Sequence, residues 1–273
     1  MKAVYRYLRP RRLLEAATSL FTRPKNVPGM AALANQYRSD CVTPVATDKE
    51  TQDQYIKGAL KKISPGRTHA SLGSSLSERS KQKALLFFQH ILDQGIAPSD
   101  VLVDYGCGTL RIGRHLIEYL DAKNYVGMDI DTRIPEAGLS TLSRDVVRSK
   151  KPILELIGDD SINRVAALKP SLVFAKGVLQ HIPPSQLDHF FMTLSKLSSG
   201  GAVIIVSIKA AKSSQRLSNR SWSYTISDVL ASASRARLVR TKTAGVSNQW
   251  HHFKSSPASE DSRSDQVGTD QKK

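Results

Sequence analysis

The stretch VLVDYGCGTLRIG, residues 101–113, decides the fold. It opens as an apolar run, passes one carboxylate at Asp104 and breaks into Gly106-Cys107-Gly108. A strand feeding a tight turn has this form, because glycine lets the backbone bend sharply and lets a ligand approach it closely. The dinucleotide fingerprint G-x-G-x-x-G needs a third glycine at 111, which brings a helix N-terminus against a pyrophosphate. Arg111 stands there, and the next glycine is Gly113. Asp104 also places negative charge where a pyrophosphate would be repelled. The stretch therefore disfavours a dinucleotide and suits a cationic or zwitterionic ligand.

Working outward, strand and helix patterns alternate. Residues 110–120 read as a helix with Ile112, Leu116, Ile117 and Leu120 facing inward, and 125–131 as a short buried strand ending in acids. A helix is expected over 140–149, strands over 153–158 and 171–179, a helix over 185–197 and a strand over 202–208. Residues 222–233 read as another helix, and 236–243 and 246–253 as late strands. Upstream, a helical pattern opens at Ser77 and stops at Gly95. Strands that are apolar on both faces and alternate with helices argue for a doubly wound, mostly parallel α/β sheet.

In such a sheet the ligand lies at the carboxyl ends of the central strands. Asp129 ends the second strand 21 residues after Gly108, where a carboxylate accepts both hydroxyls of a ribose. Asp159 ends the third strand and could meet an adenine amino group. A strand-end aspartate is equally an ordinary helix cap, and for Asp159 taken alone capping is the commoner role. Asp131 reads as a cap or surface acid. A nucleoside with a positive centre and no phosphate fits this set of residues.

The blocks VLVDYGCGT (101–109), YVGMDI (125–130), IGDD (157–160), LVFAKGVLQHIPP (172–184) and SSGGAVIIV (198–206) follow one another in order. In these blocks the chain resembles the class I S-adenosylmethionine-dependent methyltransferases, and GCGTLRIG resembles a subgroup in which Leu-Arg follows Gly-Cys-Gly-Thr. The resemblance covers 80–255 in outline and 101–208 strongly. It implies a seven-stranded Rossmann-like sheet with S-adenosyl-L-methionine as cofactor. Asp104, Gly106 and Gly108 would line the methionine moiety, with Tyr105 and Cys107 in the same loop. Asp129 would hold the ribose and Asp159 the adenine, with Met128 and Ile130 bracketing the base. Lys176 joins this set, either contacting an anionic acceptor or facing solvent. Cys107 reads as a small packing residue and not as a nucleophile.

His181, just after the fourth strand, is the best-placed general base, since an ordinary imidazole titrates near neutrality. Capping of the next helix, or packing beside the cofactor, is the commoner role for a histidine in that position. The strand-four end lacks an Asn/Asp-Pro-Pro-Tyr/Phe sequence and no Pro-Cys pair is present, which disfavours methylation of DNA bases. The expected acceptor is a small molecule or glycan. RNA methylation, or a scaffold that binds the cofactor without turnover, are the competing readings.

Charge is spread unevenly along the 273 residues. The net is +10 over 1–85, −2 over 86–100, +1 over 101–208 and +7 over 209–273. Basic flanks suit RNA, acidic lipid headgroups or acidic glycans, or simply a solvated surface. The domain expectation is an N-terminal helical and loop extension over 1–75, a catalytic domain over 76–254 and a disordered tail over 255–273. Within 1–30, Leu13, Leu14, Ala17, Leu20 and Phe21 fall on one helical face among seven basic residues. Such a helix can lie on an anionic membrane surface, serve as a transit-like leader or pack on the enzyme. The longest apolar runs, ALLFF and AVIIV, are too short to span a bilayer. Two cysteines form no disulfide framework and no metal-type Cys/His spacing occurs, so the expected setting is cytoplasmic or peripheral to a membrane.

Overall fold

The structure, a computed structural model, describes residues 48–63, 78–218, 221–245, 247 and 249–256, all within one compact unit. Five parallel strands form its centre: β1 (Leu102–Tyr105), β2 (Tyr125–Asp129), β3 (Ile153–Leu156), β4 (Leu172–Ala175) and β5 (Val203–Ser207). A separate hairpin follows, β6 (Gln215–Ser218) and β7 (Ser221–Ser223). Strands β8 (Leu238–Ala244) and β9 (Trp250–Ser255) then complete a seven-stranded sheet in the order β3-β2-β1-β4-β5-β9-β8, with β9 antiparallel to both neighbours.

Alternation along the central strands supplies both cores. Leu102, Tyr125, Leu172, Phe174 and Ile205 face helices α2 (Glu78–Leu92) and α3 (Gly113–Tyr119), packing on Phe87, Ile91, Leu116 and Ile117. Their neighbours Val103, Val126, Val173, Ile204 and Val206 face the other way. There they meet Ile162, Phe190, Leu194 and Val229 from α6 (Asp159–Ala167), α7 (Leu187–Leu197) and α8 (Ile226–Arg235). Burying a side chain of this size contributes about 1.5–3 kcal/mol, so neither face is dispensable. The strand order reverses between β1 and β4, and in an open α/β sheet the crevice at that reversal takes the ligand.

Several boundaries differ from the sequence reading. The helix expected over 110–120 begins only at Gly113, because Leu110 takes a left-handed conformation (φ 58°) and prolongs the turn. The helix expected over 140–149 is instead two, α4 (Arg133–Leu139) and α5 (Arg144–Lys150). Pro135 looks like a breaker, yet in a first turn it gives up an N–H that has no helical partner. Ser143 Oγ then caps α5 by accepting the Val146 N–H at 3.2 Å. The strand expected over 171–179 stops at Ala175, where Gly177 (φ 78°) leads into a 3₁₀ turn at Leu179–His181. Trp222 lies in β7 and not in a helix. Helix α8 starts after Thr225, whose Oγ1 accepts the Asp228 N–H.

Within the 1–75 extension lies one helix that the sequence pattern did not locate, α1 (Asp48–Leu60), whose Ala59 packs on Ile134 of α4. Strand β9 runs to Ser255, one residue into the expected tail. The basic helix expected within 1–30, and the tail from 257, lie outside the described residues. Among the described residues no helix is long and apolar enough to cross a membrane.

Candidate functional site

The turn after β1 is held by hydrogen bonds that consume its own amides. Gly106 and Cys107 both donate N–H to the Met128 carbonyl, at 2.8 and 3.0 Å, and Leu110 donates to Cys107 at 3.2 Å. Gly108 donates to Asp129 Oδ2 at 2.7 Å, and the other oxygen accepts the Ile130 N–H at 2.8 Å. Asp129 therefore clamps the turn to the end of β2. Burial pushes its carboxyl up to about 6 despite the two N–H donors, which pull the other way. A Cβ on Gly106 (φ 74°) would lie 2.4 Å from Val178 Cγ2, so only glycine lets the β4 turn close over this one.

Asp104 is buried at the carboxyl end of β1, and its Oδ2 accepts the Tyr125 hydroxyl at 2.9 Å. Burial is the main influence and pushes its carboxyl up to about 7. The Tyr125 bond opposes this, Asp129 reinforces it, and Arg111 and Lys176 add weaker downward pulls. Gly113 completes the arrangement. A Cβ there would stand 2.2 Å from Tyr125 Oη, so this glycine, two positions late for a dinucleotide fingerprint, makes room for the hydroxyl.

The remaining sequence candidates divide sharply. Tyr105 packs its ring on Phe190 and Met128 lies wholly in the core, so these two offer the turn their backbone. Cys107 is buried, and burial beside Asp129 and Asp104 raises its thiol far out of the nucleophilic range. Ile130 is half-buried at the end of β2. Asp131 is occupied by Arg133, accepting from its backbone N–H at 3.0 Å and from Nε at 2.8 Å. Asp159 is exposed in the first turn of α6, where a carboxylate is favoured by the helix dipole.

His181 ends the 3₁₀ turn after β4, half-buried, with the Tyr55 ring of α1 at 5.0 Å between centroids and Gln180 Nε2 at 3.2 Å from Nε2. The β6–β7 hairpin packs on the same turn, and Tyr224 Oη donates to the Ile182 carbonyl. Lys176 directly follows β4. Its Nζ lies 5.1 Å from the centre of the Phe87 ring, and burial, then Arg111 and Lys83, bring its ammonium down to about 8.

No protein-family model and no curated protein matches this sequence. Solved structures do match. A magnesium protoporphyrin IX methyltransferase from Synechocystis with bound S-adenosylmethionine aligns over 78% of this chain and 97% of its own, at 15% identity and TM-score 0.53. A 1,6-didemethyltoxoflavin-N1-methyltransferase from Burkholderia thailandensis aligns over 79% and 93%, at 12% identity and TM-score 0.53. The fold is that of the class I methyltransferases. Within this fold the carboxyl edge of β1, β2 and β4 carries Asp104, the glycine turn, Asp129 and Lys176, at the reversal point of the sheet. Tyr125, Arg111, Phe87 and Tyr55 were not singled out as site residues by sequence reasoning. Tyr125 left one signal, a hydroxyl in a strand otherwise built for burial on both faces.

Proposed function

We propose that this chain is an S-adenosylmethionine-dependent methyltransferase. The observation that carries the reading is the state of the turn amides. The N–H groups of Gly106, Cys107, Gly108 and Leu110 are all committed within the protein, and two carboxylates flank them. At the turn itself a pyrophosphate would find these four N–H groups already taken and two carboxylates beside them. A phosphate-free nucleoside carrying positive charge finds both an open backbone and acidic partners.

Asp129 would hold the ribose, since each carboxylate oxygen keeps a second lone pair after its backbone bond. Asp104 would face the positive charge of the methionine moiety, with Tyr125 steadying its ionised form. Ile130 and Asp159 would border the adenine, and backbone at 105–107 would line the floor. When bound, the cofactor supplies a sulfonium methyl with a neutral thioether as leaving group. The chain's own contribution is then to hold the acceptor close, in line and away from water, which can lower the barrier by up to about 7–11 kcal/mol. His181 stands ready to take a proton from a hydroxyl or amine acceptor.

The acceptor we favour is a small molecule or glycan. Helix α1 and the β6–β7 hairpin both pack on the 3₁₀ turn that carries His181, which encloses that side of the crevice. An RNA acceptor is the second reading, supported by the net +10 over 1–85 and +7 over 209–273, and steep salt dependence of RNA binding would favour it.

Asp129→Ala strands the Gly108 and Ile130 N–H donors, each costing about 1–3 kcal/mol, and removes the ribose acceptor. Calorimetry should show at least about a hundredfold loss of S-adenosylmethionine affinity. Unchanged affinity would overturn the site. Incubating wild type with labelled methyl donor and fractionated cell extract should then identify the acceptor, and binding without label transfer would point to a scaffold.

A further inference from the structure

Six non-glycine residues among those described adopt a left-handed backbone, and four of them are cations: Lys123 (φ 69°), Lys151 (φ 48°), Lys169 (φ 51°) and Arg237 (φ 56°). Each stands one to three residues before a strand, β2, β3, β4 and β8 respectively. Strands β2, β3 and β4 are parallel through β1. Strand β8 runs the same way, because β9 is antiparallel both to it and to β5. All four cations therefore lie on the amino edge of the sheet, the end opposite Asp104 and Asp129. They form a row from β3 to β8 about 30 Å long, at about 4.8 Å per strand.

Backbone bonds fix these turns. Lys123 N–H donates to the Lys150 carbonyl at 2.8 Å, and Ser256 N–H to the Arg237 carbonyl at 2.7 Å. All four side chains are exposed, and among the described residues none forms an ion pair. Arg148 and Lys196, exposed in the last turns of α5 and α7, add to the same edge. Asp100 is engaged, accepting the Ala97 N–H at 2.7 Å and the Ser171 hydroxyl at 2.6 Å, while Glu118 and Asp121 are exposed acids beside the row.

A left-handed backbone suits glycine, and the carboxyl edge uses Gly106, Gly108 and Gly177 for it. Lysine or arginine there is strained. The helix dipole favours a cation after a last turn, but by no more than that strain costs. Helix ends alone thus do not account for one choice made four times on one edge. An anionic partner does. Two apolar side chains narrow its chemistry: Leu168, 44% exposed, directly precedes Lys169, and Val239, 54% exposed, follows Arg237 by two residues. A sugar-phosphate backbone offers them nothing, whereas the boundary between lipid headgroups and acyl chains takes apolar tips beside phosphates.

We propose that the amino edge of the sheet docks on an anionic bilayer, with Lys123, Lys151, Lys169 and Arg237 on lipid phosphates and Leu168 at the acyl boundary. The crevice then opens away from the membrane. Docking of this kind requires nothing of the crevice and stands apart from the methyltransferase reading.

Co-sedimentation of the full chain with vesicles tests the surface. Wild type should bind phosphatidylcholine vesicles that contain phosphatidylglycerol and ignore pure phosphatidylcholine. Lys123→Gly, Lys151→Gly and Lys169→Gly combined remove three cations and suit the left-handed backbone, so the unfolding midpoint should not fall. At about fivefold per cation, this variant should bind the anionic vesicles about a hundredfold more weakly. Lys123→Asn, Lys151→Asn and Lys169→Asn, also tolerated in that conformation, should behave alike. A charge-matched variant away from this edge, Lys57→Gln, Lys209→Gln and Lys212→Gln, should stay within about threefold of wild type, since solvent screens distant charges. Wild type that ignores anionic vesicles, a glycine variant that binds as wild type does, or equal weakening of the two charge-matched variants overturns the proposal. Polyuridylate binding lost in the glycine variant, with no vesicle binding by wild type, would assign the edge to RNA instead.

Discussion

Replacing Asp104 with asparagine should stabilise the unliganded protein and impair it. The amide keeps the shape of the carboxyl and still offers an oxygen to the Tyr125 hydroxyl, so packing around it is preserved. What disappears is the charge. Asp104 is raised from its ordinary 3.8 to about 7, chiefly by burial, so the folded chain binds its proton more tightly than the unfolded chain does. A raised group contributes stability that is fully present below about pH 3.8 and lost as pH climbs through about 7. At 1.36 kcal/mol per pKa unit the loss in wild type amounts to at most roughly 4 kcal/mol by pH 8. Asp104→Asn lacks this loss. Urea unfolding should therefore show the two proteins closest near pH 4, with the variant gaining steadily on wild type up to pH 8. Calorimetry should show S-adenosylmethionine binding by the variant weaker than wild type near pH 8, with the gap narrowing as pH falls below about 7 and the wild-type carboxyl takes up its proton, the pattern expected of a residue kept for function at the expense of stability. A stability difference that stays constant from pH 4 to pH 8, or a variant that loses ground as pH rises, would refute the placement of a buried, reluctantly ionised carboxyl at β1.

Two further outcomes test other parts of the fold. Gly113→Ala places a Cβ 2.2 Å from Tyr125 Oη in a fully packed region, so the Tyr125 ring must shift. Urea unfolding should report a loss of about 1–3 kcal/mol, and a neutral substitution would show that the Tyr125 position is not constrained from α3. On the far side of α2, His90 Nε2 and His252 Nε2 share a hydrogen bond at 2.8 Å. Burial, followed by His90, Lys242 and His251, lowers His252 from 6.5 to about 4. Asp93, at the end of the same helix, pulls His90 weakly upward. The unfolded chain therefore binds more protons between those values, and stability should fall as pH drops from about 6.5 to about 4. A His252→Asn protein should lose less over that window, and parallel pH profiles would count against the pair.

The parts of this molecule that were legible in the sequence are those written in short contiguous blocks. Val101 to Tyr105, Val203 to Val206 and the strand ending at Asp129 announce themselves by apolar runs, and Gly106 and Gly108 mark the turn because no other residue suits it. The doubly wound class followed from the alternation of such strands with helical patterns. Boundaries failed where one local signal outweighed a pattern, as with Pro135 inside α4, Thr225 capping α8 after Trp222, and Leu110 in a left-handed conformation. Helix α1 was missed because it is mostly polar, and its packing partner Ile134 lies more than seventy residues away in a different helix.

The charge balance of the site was hidden for a different reason. Asp104, Tyr125 and Gly113 are each visible, yet nothing local says they meet. Their meeting depends on the parallel register that sets Leu102 against Tyr125, which puts Tyr125 and Asp104 on one face of the sheet, and on α3 approaching closely enough to need a glycine. Lys176 depends on the same parity, since it shares a face with Phe174 and so reaches Phe87 of α2. Register is fixed by the packing of the whole sheet, where a shift of one residue would turn every side chain to the opposite core. The acidic end of the crevice could thus be read from one turn and two aspartates. The Tyr125 hydroxyl that steadies the charge of Asp104, and the Arg111 and Lys176 cations that act on the same carboxyl, emerge only once both cores are in place, and they bear on which ligand charges the crevice will accept.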